Sequence, residues 1–175
     1  MNYQIYNEDC LEGMKRIESG SVDLILTDLP YQMTGLDWDS SLPLEKLWGG
    51  LWQISKSNAA VILFSQMPFT SDLVQSQKKF FRYEIIWEKP LATGHLNANK
   101  MPLKAHENIL VFYKRLPTYN IQFREGKPRL YKVAEGLKSN LYNAKESQDT
   151  YNDGTKYYPR DVLKFNVVQG HETRY

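Results

Sequence analysis

The sequence has few of the residues that cross-link small proteins. Its 175 residues include one cysteine, Cys10, and three histidines. A single cysteine cannot form a disulfide within the chain, which suits a reducing compartment. So few thiols and imidazoles also argue against a structural metal centre, because such centres usually take four of these ligands. We therefore expect neither a disulfide framework nor a bound metal.

Long apolar runs are absent as well. No segment approaches the roughly 20 apolar residues that span a bilayer, and the N-terminus lacks the basic and apolar regions of a secretory signal. These absences predict a cytoplasmic protein without a membrane partner. With 42% hydrophobic and 24% charged residues, the chain has the composition of an ordinary globular domain and the length to build one hydrophobic core.

Acidic and basic residues are distributed unevenly along the chain. Residues 1–75 hold 4 Lys and Arg against 10 Asp and Glu, a net charge of −6. Residues 76–175 hold 18 against 10, a net charge of +8, so the total of +2 hides the difference. Such an asymmetry is compatible with chance. It is also typical of a molecule that binds a polyanion on one side.

Over the first 115 residues, segments with strand and helix patterns alternate. Apolar residues at helical spacing predict helices after the N-cap candidate Asp9, over 43–55 and over 71–80. Short apolar runs predict strands at 4–6, 21–27, 59–64, 83–87 and 108–113. This alternation predicts an α/β fold with helices on the faces of a sheet.

One predicted strand ends in residues suited to a particular chemical task. Asp28-Leu29-Pro30-Tyr31 directly follows the strand 21–27, and α/β sheets bind ligands beyond the carboxyl ends of their strands. This segment resembles the catalytic motif of the DNA amino-methyltransferases, which implies that the Asp28 carboxylate and the Leu29 carbonyl accept both hydrogens of an aromatic amine and so localise its lone pair. Pro30 fixes the backbone, and Tyr31 offers a flat face to an extruded base. An ordinary strand-to-turn junction is the alternative, because Asp and Pro are common in turns.

The sequence on both sides of this segment resembles that of the DNA amino-methyltransferases. The similarity is to the subgroup whose catalytic Asp-x-Pro-Tyr motif precedes the cofactor-binding motif. Similar segments follow one another in order over nearly all of residues 1–115. They are residues 7–14 (NEDCLEGM), 20–28 (GSVDLILTD), 35–39 (GLDWD), 63–71 (LFSQMPFTS), 87–89 (WEK), 97–102 (NANKMP) and 106–113 (HENILVFY). Leu29 stands where the commonest form of the motif has proline, and it keeps the carbonyl.

The resemblance implies a Rossmann-like fold that binds S-adenosylmethionine and methylates the exocyclic amine of a flipped base in double-stranded DNA, as in phage and restriction-modification enzymes. Adenine N6 is favoured by the Asp in the first motif position, with cytosine N4 as the alternative. An RNA or protein amine fits the ordered match less well.

The resemblance also implies roles for individual residues. It assigns catalysis to Asp28, Leu29, Pro30 and Tyr31, cofactor binding to Asp9 and Asp28, and the lining of the base pocket to Phe64, His106 and Glu107. Simpler roles remain open for four of these residues. Asp9 could only cap its helix, Phe64 could only pack in the core, and His106-Glu107 could form a strand entry with a surface ion pair.

Residues 116–175 occupy the place of the target-recognition region in this subgroup, which divides the chain into a catalytic half, residues 1–115, and a basic, tyrosine-rich recognition region. Cations contact phosphates and aromatic rings stack on bases. Arg124, Lys127 and Arg129 are therefore candidate DNA contacts. A solvated surface of the same composition is the alternative.

One motif of the family is missing. The ten glycines include no Gly-x-Gly, and no predicted strand ends in a Gly-rich loop that enters a helix. Family members of this subgroup place that loop near their C-terminus. The resemblance thus implies a partial fold, truncated or completed by a complementing C-terminal fragment, with homodimerisation another way to cover the open sheet. An inactive remnant that only binds DNA or a partner subunit is the alternative from a different functional class.

Overall fold

A computed structural model of the chain describes residues 3–31, 43–126, 129–130, 151–152 and 156–165. The regular elements in these ranges are α1 (Cys10–Met14), β1 (Val22–Asp28), α2 (Leu44–Ile54), β2 (Ser55–Ser65), α3 (Phe69–Ser76), β3 (Phe81–Thr93), a 3₁₀ helix (His95–Asn97), β4 (Lys104–Phe112), β5 (Arg129–Leu130), β6 (Tyr151–Asn152) and β7 (Val162–Lys164). The described helices are too short and too polar to cross a membrane.

Five strands form one mixed sheet in the order β1-β2-β4-β3-β7. β1 and β2 are parallel, β4 is antiparallel to both of its neighbours, and β7 is parallel to β3. As a result, β1, β2 and β3 end at the same edge of the sheet, and β4 begins there. We call this edge the carboxyl edge. It is where α/β sheets most often bind ligands.

The hydrophobic core lies between one face of this sheet and the helices α2 and α3. Trp48 of α2 meets Phe112 of β4 edge to face, with ring centroids 4.8 Å apart, and stacks on Trp52 at 5.6 Å. Leu63 of β2 and Leu73 of α3 are fully buried in the same cluster. Burying side chains of this size contributes roughly 1.5–3 kcal/mol each, so this face of the sheet fixes the position of the strands.

The two faces of β1 differ sharply in exposure. Ile25 packs against the core cluster, whereas Leu24 and Leu26 on the opposite face are 54% and 60% exposed. β1 is also the end strand of the sheet order. An apolar end strand of this kind is open to pairing with another chain.

The predicted helix over 43–55 is confirmed, and its Gly49-Gly50 pair does not interrupt it. A Cβ on Gly50 would lie 2.8 Å from the Cε atom of Met14. The absence of a side chain at Gly50 therefore lets α1 pack closely on α2.

The predicted strand at 4–6 is wrong, because residues 3–7 have no regular structure. A run of three apolar and polar residues is too short to identify a strand without a pairing partner.

The chain divides into two compact units, Met1–Thr118 with Asp161–Tyr175, and Tyr119–Arg160. Within the smaller unit, Arg124 and Tyr157 exchange two backbone hydrogen bonds of 2.8 Å. The rings of Phe123 and Tyr158 lie 5.3 Å apart. β7 belongs to the larger unit because it pairs with β3. The functional division at residue 115 stays a prediction.

Candidate active site

The segment Asp28–Tyr31 lies at the carboxyl edge, where β1 ends. The side chain of Leu29 is 7% exposed and belongs to the core cluster, whereas Asp28 is exposed at the end of the strand. Successive residues of a strand point to opposite faces. Anchoring Leu29 in the core therefore directs the Asp28 carboxylate away from the core.

Tyr31 folds back over this carboxylate. Its hydroxyl donates a short hydrogen bond to Oδ1 of Asp28, and its ring lies 5.9 Å from that of Phe69, tilted by 39°. Burial, together with the hydrogen bond to Asp28 and the negative charges of Asp28 and Glu107, raises the pKa of the Tyr31 hydroxyl. The phenol therefore stays protonated and remains a hydrogen-bond donor.

A buried carboxylate lies at the same edge, at the start of β4. Glu107 is 8% exposed, and its Oε1 accepts hydrogen bonds from Gln66 Nε2 at 2.8 Å and from Lys89 Nζ. Lys104 Nζ in turn donates to Oε1 of Gln66 at 2.6 Å. The Lys89 ammonium and the Gln66 amide compensate for burying the Glu107 charge. We call these four residues the Glu107 network.

The other predicted pocket residues lie at the same edge but differ in exposure. Phe64 is opposite Asp28 in the β1–β2 pairing and meets Trp87 edge to face, with centroids 6.1 Å apart. His106 is exposed, one residue before Glu107. The indole N–H of Trp87 is buried and has no acceptor among the described residues. The carboxyl edge thus carries the rings of Phe64 and Trp87 together with two carboxylates, Asp28 on β1 and Glu107 on β4.

Asp9 caps the first helix. Its Oδ1 accepts from the backbone N–H of Leu11 at 2.8 Å and of Glu12 at 3.3 Å. Within the described ranges no hydrogen bond engages its second oxygen, Oδ2. A cavity of about 290 Å³ is lined among others by the sequence neighbours Glu8 and Cys10 and by Tyr6, but Asp9 itself does not line it. The capping role is confirmed, and the cofactor role stays a prediction.

The candidate DNA contacts lie in the smaller unit. Arg124 is exposed and its Nε donates to the carbonyl of Tyr158 at 3.3 Å. Arg129 begins β5. Lys127 lies outside the described residues, as does the segment 35–39 that contributed to the family resemblance. Their roles in binding stay predictions.

Sequence reasoning missed Gln66, Lys89 and Lys104 as parts of the site. Each is ordinary in its own segment, and only strand pairing brings them to Glu107: Ser65 pairs with Asn108, and Trp87 with Glu107. Because pairing register is set by non-local packing, no local pattern could have identified this cluster.

Together these features define an open α/β domain with a carboxylate, a backbone carbonyl and a protonated tyrosine at the carboxyl edge of its sheet.

Neither a protein-family model nor a curated protein matches the sequence. Similar folds occur among solved structures. The PvuII DNA methyltransferase (cytosine-N4-specific) matches with a TM-score of 0.58 and 13% identity, over 96% of this chain and 58% of that chain. The M1.HpyAVI–SAM complex matches with a TM-score of 0.48 and 22% identity, over 73% and 63%.

The likeness to the PvuII enzyme confirms the predicted fold class, a mixed α/β sheet of the methyltransferase kind. The chain spans less than two thirds of the length of either structure.

Proposed function

We propose that the chain carries the base-modifying site of a DNA methyltransferase that transfers the methyl group of S-adenosylmethionine to the exocyclic N6 amine of adenine. The observation that carries this proposal is the Asp28–Tyr31 arrangement at the carboxyl edge, with Leu29 anchored in the core. The fold shared with the PvuII DNA methyltransferase supports it.

The chemical role of this site is to make a poor nucleophile reactive. An aromatic amine is weakly nucleophilic because its lone pair is delocalised into the ring. Hydrogen bonds from the amine to the Asp28 carboxylate and the Leu29 carbonyl would localise that lone pair on nitrogen. After transfer the nitrogen carries a positive charge, and the Asp28 carboxylate is positioned to take the proton that it releases.

Tyr31 would serve as the stacking platform for the flipped base. A base that enters from a duplex loses its stacking neighbours, and an aromatic side chain replaces part of that energy, about 1–3 kcal/mol per base. The hydroxyl of Tyr31 donates to Oδ1 of Asp28, and a carboxylate has further acceptor sites to which the amine would donate. Phe64 and the Glu107 network would form the remaining walls.

Asp9 and Asp28 fit the polar parts of the cofactor. S-adenosylmethionine supplies, when bound, an electrophilic methyl group on a sulfonium cation. Oδ2 of Asp9, which accepts no hydrogen bond from the described residues, could accept one from an adenosine hydroxyl. The Asp28 carboxylate would favour the sulfonium by its negative charge. Double-stranded DNA is the proposed partner, contacted through Arg124, Lys127 and Arg129. A second copy of the chain or a complementing methyltransferase fragment would cover β1.

The test of the function is methyl transfer to duplex DNA of mixed sequence, with the methylated base identified by mass spectrometry. The expected product is N6-methyladenine, and N4-methylcytosine would instead support the cytosine-specific alternative. Asp28→Ala should slow transfer by about 10²–10³-fold, the usual cost of one preorganised hydrogen-bonding group in a transition state. Asp23→Ala is the matched control, since Asp23 is an exposed carboxylate of the same strand, paired with Lys56.

Activity of Asp28→Ala within about tenfold of the parent would refute the assignment of Asp28. DNA binding without any methylated base, with or without a complementing fragment, would favour a remnant that only binds DNA.

A further inference from the structure

The connection between β3 and β4 projects from the carboxyl edge as an arm with exposed apolar side chains. We call residues 89–104 the hairpin arm. Leu96 is completely exposed, and Leu91 and Met101 are 73% and 57% exposed. Single exposed apolar residues are normal on a soluble protein. With Leu103 there are four large exposed apolar residues on one short arm, which is typical of a surface that contacts another molecule.

The charge of the arm indicates what kind of molecule that is. Between Glu88 and Glu107 the sequence contains no acidic residue, while it contains Lys89, Lys100 and Lys104. Lys89 is paired with Glu107, whereas Lys100 has no ion-pair partner among the described residues. An arm with such a lysine, no acidic residue and an apolar tip is complementary to nucleic acid, whose phosphates attract the cation and whose base stack accepts the apolar side chain.

The tip of the arm is locally ordered. A 3₁₀ turn at His95–Asn97 presents Leu96, and Gly94 enters it with a φ of 92° that favours glycine. Backbone hydrogen bonds of 2.8 Å and 3.0 Å run from the N–H groups of Lys100 and Met101 to the carbonyl of Asn97. Leu96 is therefore held outward on a closed turn, with little conformational freedom left to lose on binding.

The arm and the candidate active site share the same edge of the sheet. Along the paired strands, Asp28 is level with Phe64 and Ile109. Lys104, at the base of the arm, lies five residues beyond Ile109 on β4, which is roughly 16 Å further out at the rise of a strand. A duplex lying across this edge with one base at Tyr31 would therefore meet the arm.

We infer that the hairpin arm is a wedge that inserts Leu96 into the base stack of duplex DNA, in the space left by the nucleotide extruded toward Asp28 and Tyr31. This inference rests on the proposed function and adds to it a DNA-distorting element. The side chain replaces the stacking of the extruded base and keeps that base from returning, while Lys100 contacts a neighbouring phosphate.

The test compares binding of the full chain to two fluorescein-labelled duplexes of the same sequence, one fully paired and one with a single abasic site. The abasic duplex already lacks one base, so a wedge should favour it by about tenfold in Kd. Leu96→Ala should reduce that preference to about twofold or less. Because Leu96 is fully exposed, the substitution should leave the fold intact, which circular dichroism can check.

Three further variants separate the wedge from general effects. Ile5→Ala removes a side chain of similar exposure, 85%, and should keep the preference of the parent. Lys100→Gln should weaken binding to both duplexes equally. Asp28→Ala should lose methyl transfer and keep the preference for the abasic duplex.

An unchanged preference in Leu96→Ala, or no preference in the parent, would overturn the wedge and leave the methyltransferase assignment standing. If the parent binds neither duplex, both proposals fail.

Discussion

Leu29 occupies the motif position where the family that the chain resembles most often has proline. Its burial in the core cluster explains how leucine is accommodated at this position: the side chain anchors the end of β1. The placement of Asp28, Leu29, Pro30 and Tyr31 at the end of a strand was predictable because the four residues are adjacent, whereas their chemistry stays a prediction. Their detailed contacts were not predictable, since the bond between the Tyr31 hydroxyl and Asp28 depends on how the chain turns after β1.

Tyr31 allows a test that separates its ring from its hydroxyl. Tyr31→Phe removes the donor to Asp28 but keeps the stacking face, so methyl transfer should stay within about threefold of the parent, whereas Tyr31→Ala should lose about 1–3 kcal/mol of base binding. Fluorescence of 2-aminopurine at the target position measures base extrusion in each variant. Equal loss in both variants would show that the hydroxyl, not the ring, carries the role.

The raised pKa of the Tyr31 hydroxyl determines how the difference in stability between the parent and Tyr31→Phe depends on pH. A group whose pKa is raised on folding contributes stability that is complete below its unfolded value, about 10 for tyrosine, and is lost as pH rises through the folded value. The difference in unfolding free energy between the parent and Tyr31→Phe should therefore be constant from about pH 7 to pH 9. A steady change over that range, measured by urea unfolding, would contradict the assigned protonation state.

At the scale of elements, apolar runs predicted the central strands correctly but not their lengths. β3 continues to Thr93, past Pro90 and a register shift between Glu88 and Thr93, and so supports the hairpin arm. Proline normally argues against a strand interior, so local patterns end the strand too early. The pairing of β3 with β4 overrides that local preference, and it also assembles the Glu107 network.

The basic segment after residue 116 is the element predicted to bind phosphates. Replacing Arg124, Lys127 and Arg129 together with glutamine should weaken DNA binding and reduce the slope of log K against log salt, by about 0.9 for each phosphate that these side chains bind in the parent. Fluorescence anisotropy over a range of salt concentrations measures both quantities.

The matched control replaces Lys15, Lys46 and Lys56, three cations of the acidic first part of the chain. It removes the same charge and should leave the slope nearly unchanged. If the two triple variants behave alike, net charge alone explains the binding and residues 116–165 are not the DNA surface.

At the scale of the whole molecule, β1 is the exposed end of an otherwise well-packed sheet. Leu24 and Leu26 present apolar surface on an end strand whose outer edge pairs with no other described strand, so the chain should self-associate as its concentration rises. Leu24→Lys combined with Leu26→Lys should shift it toward monomer, because charged side chains protect natural edge strands. Sedimentation velocity measures the change.

Ile17→Lys, a substitution at a partly exposed residue outside the sheet, is the control and should not alter association. A parent chain that stays monomeric at high micromolar concentration would show that β1 is covered in solution.

The Glu107 network also gives the site a mechanical property. Lys89 and Lys104 stand at the two roots of the hairpin arm, and both are tied through Gln66 and Glu107 to the strands next to Asp28. These hydrogen bonds link the roots of the arm to the strands that carry the proposed base site. If both proposals hold, the linkage would fix the distance between Leu96 and Tyr31. The place where the arm enters the duplex would then determine which nucleotide reaches Tyr31, and identical bases at other distances would not be methylated.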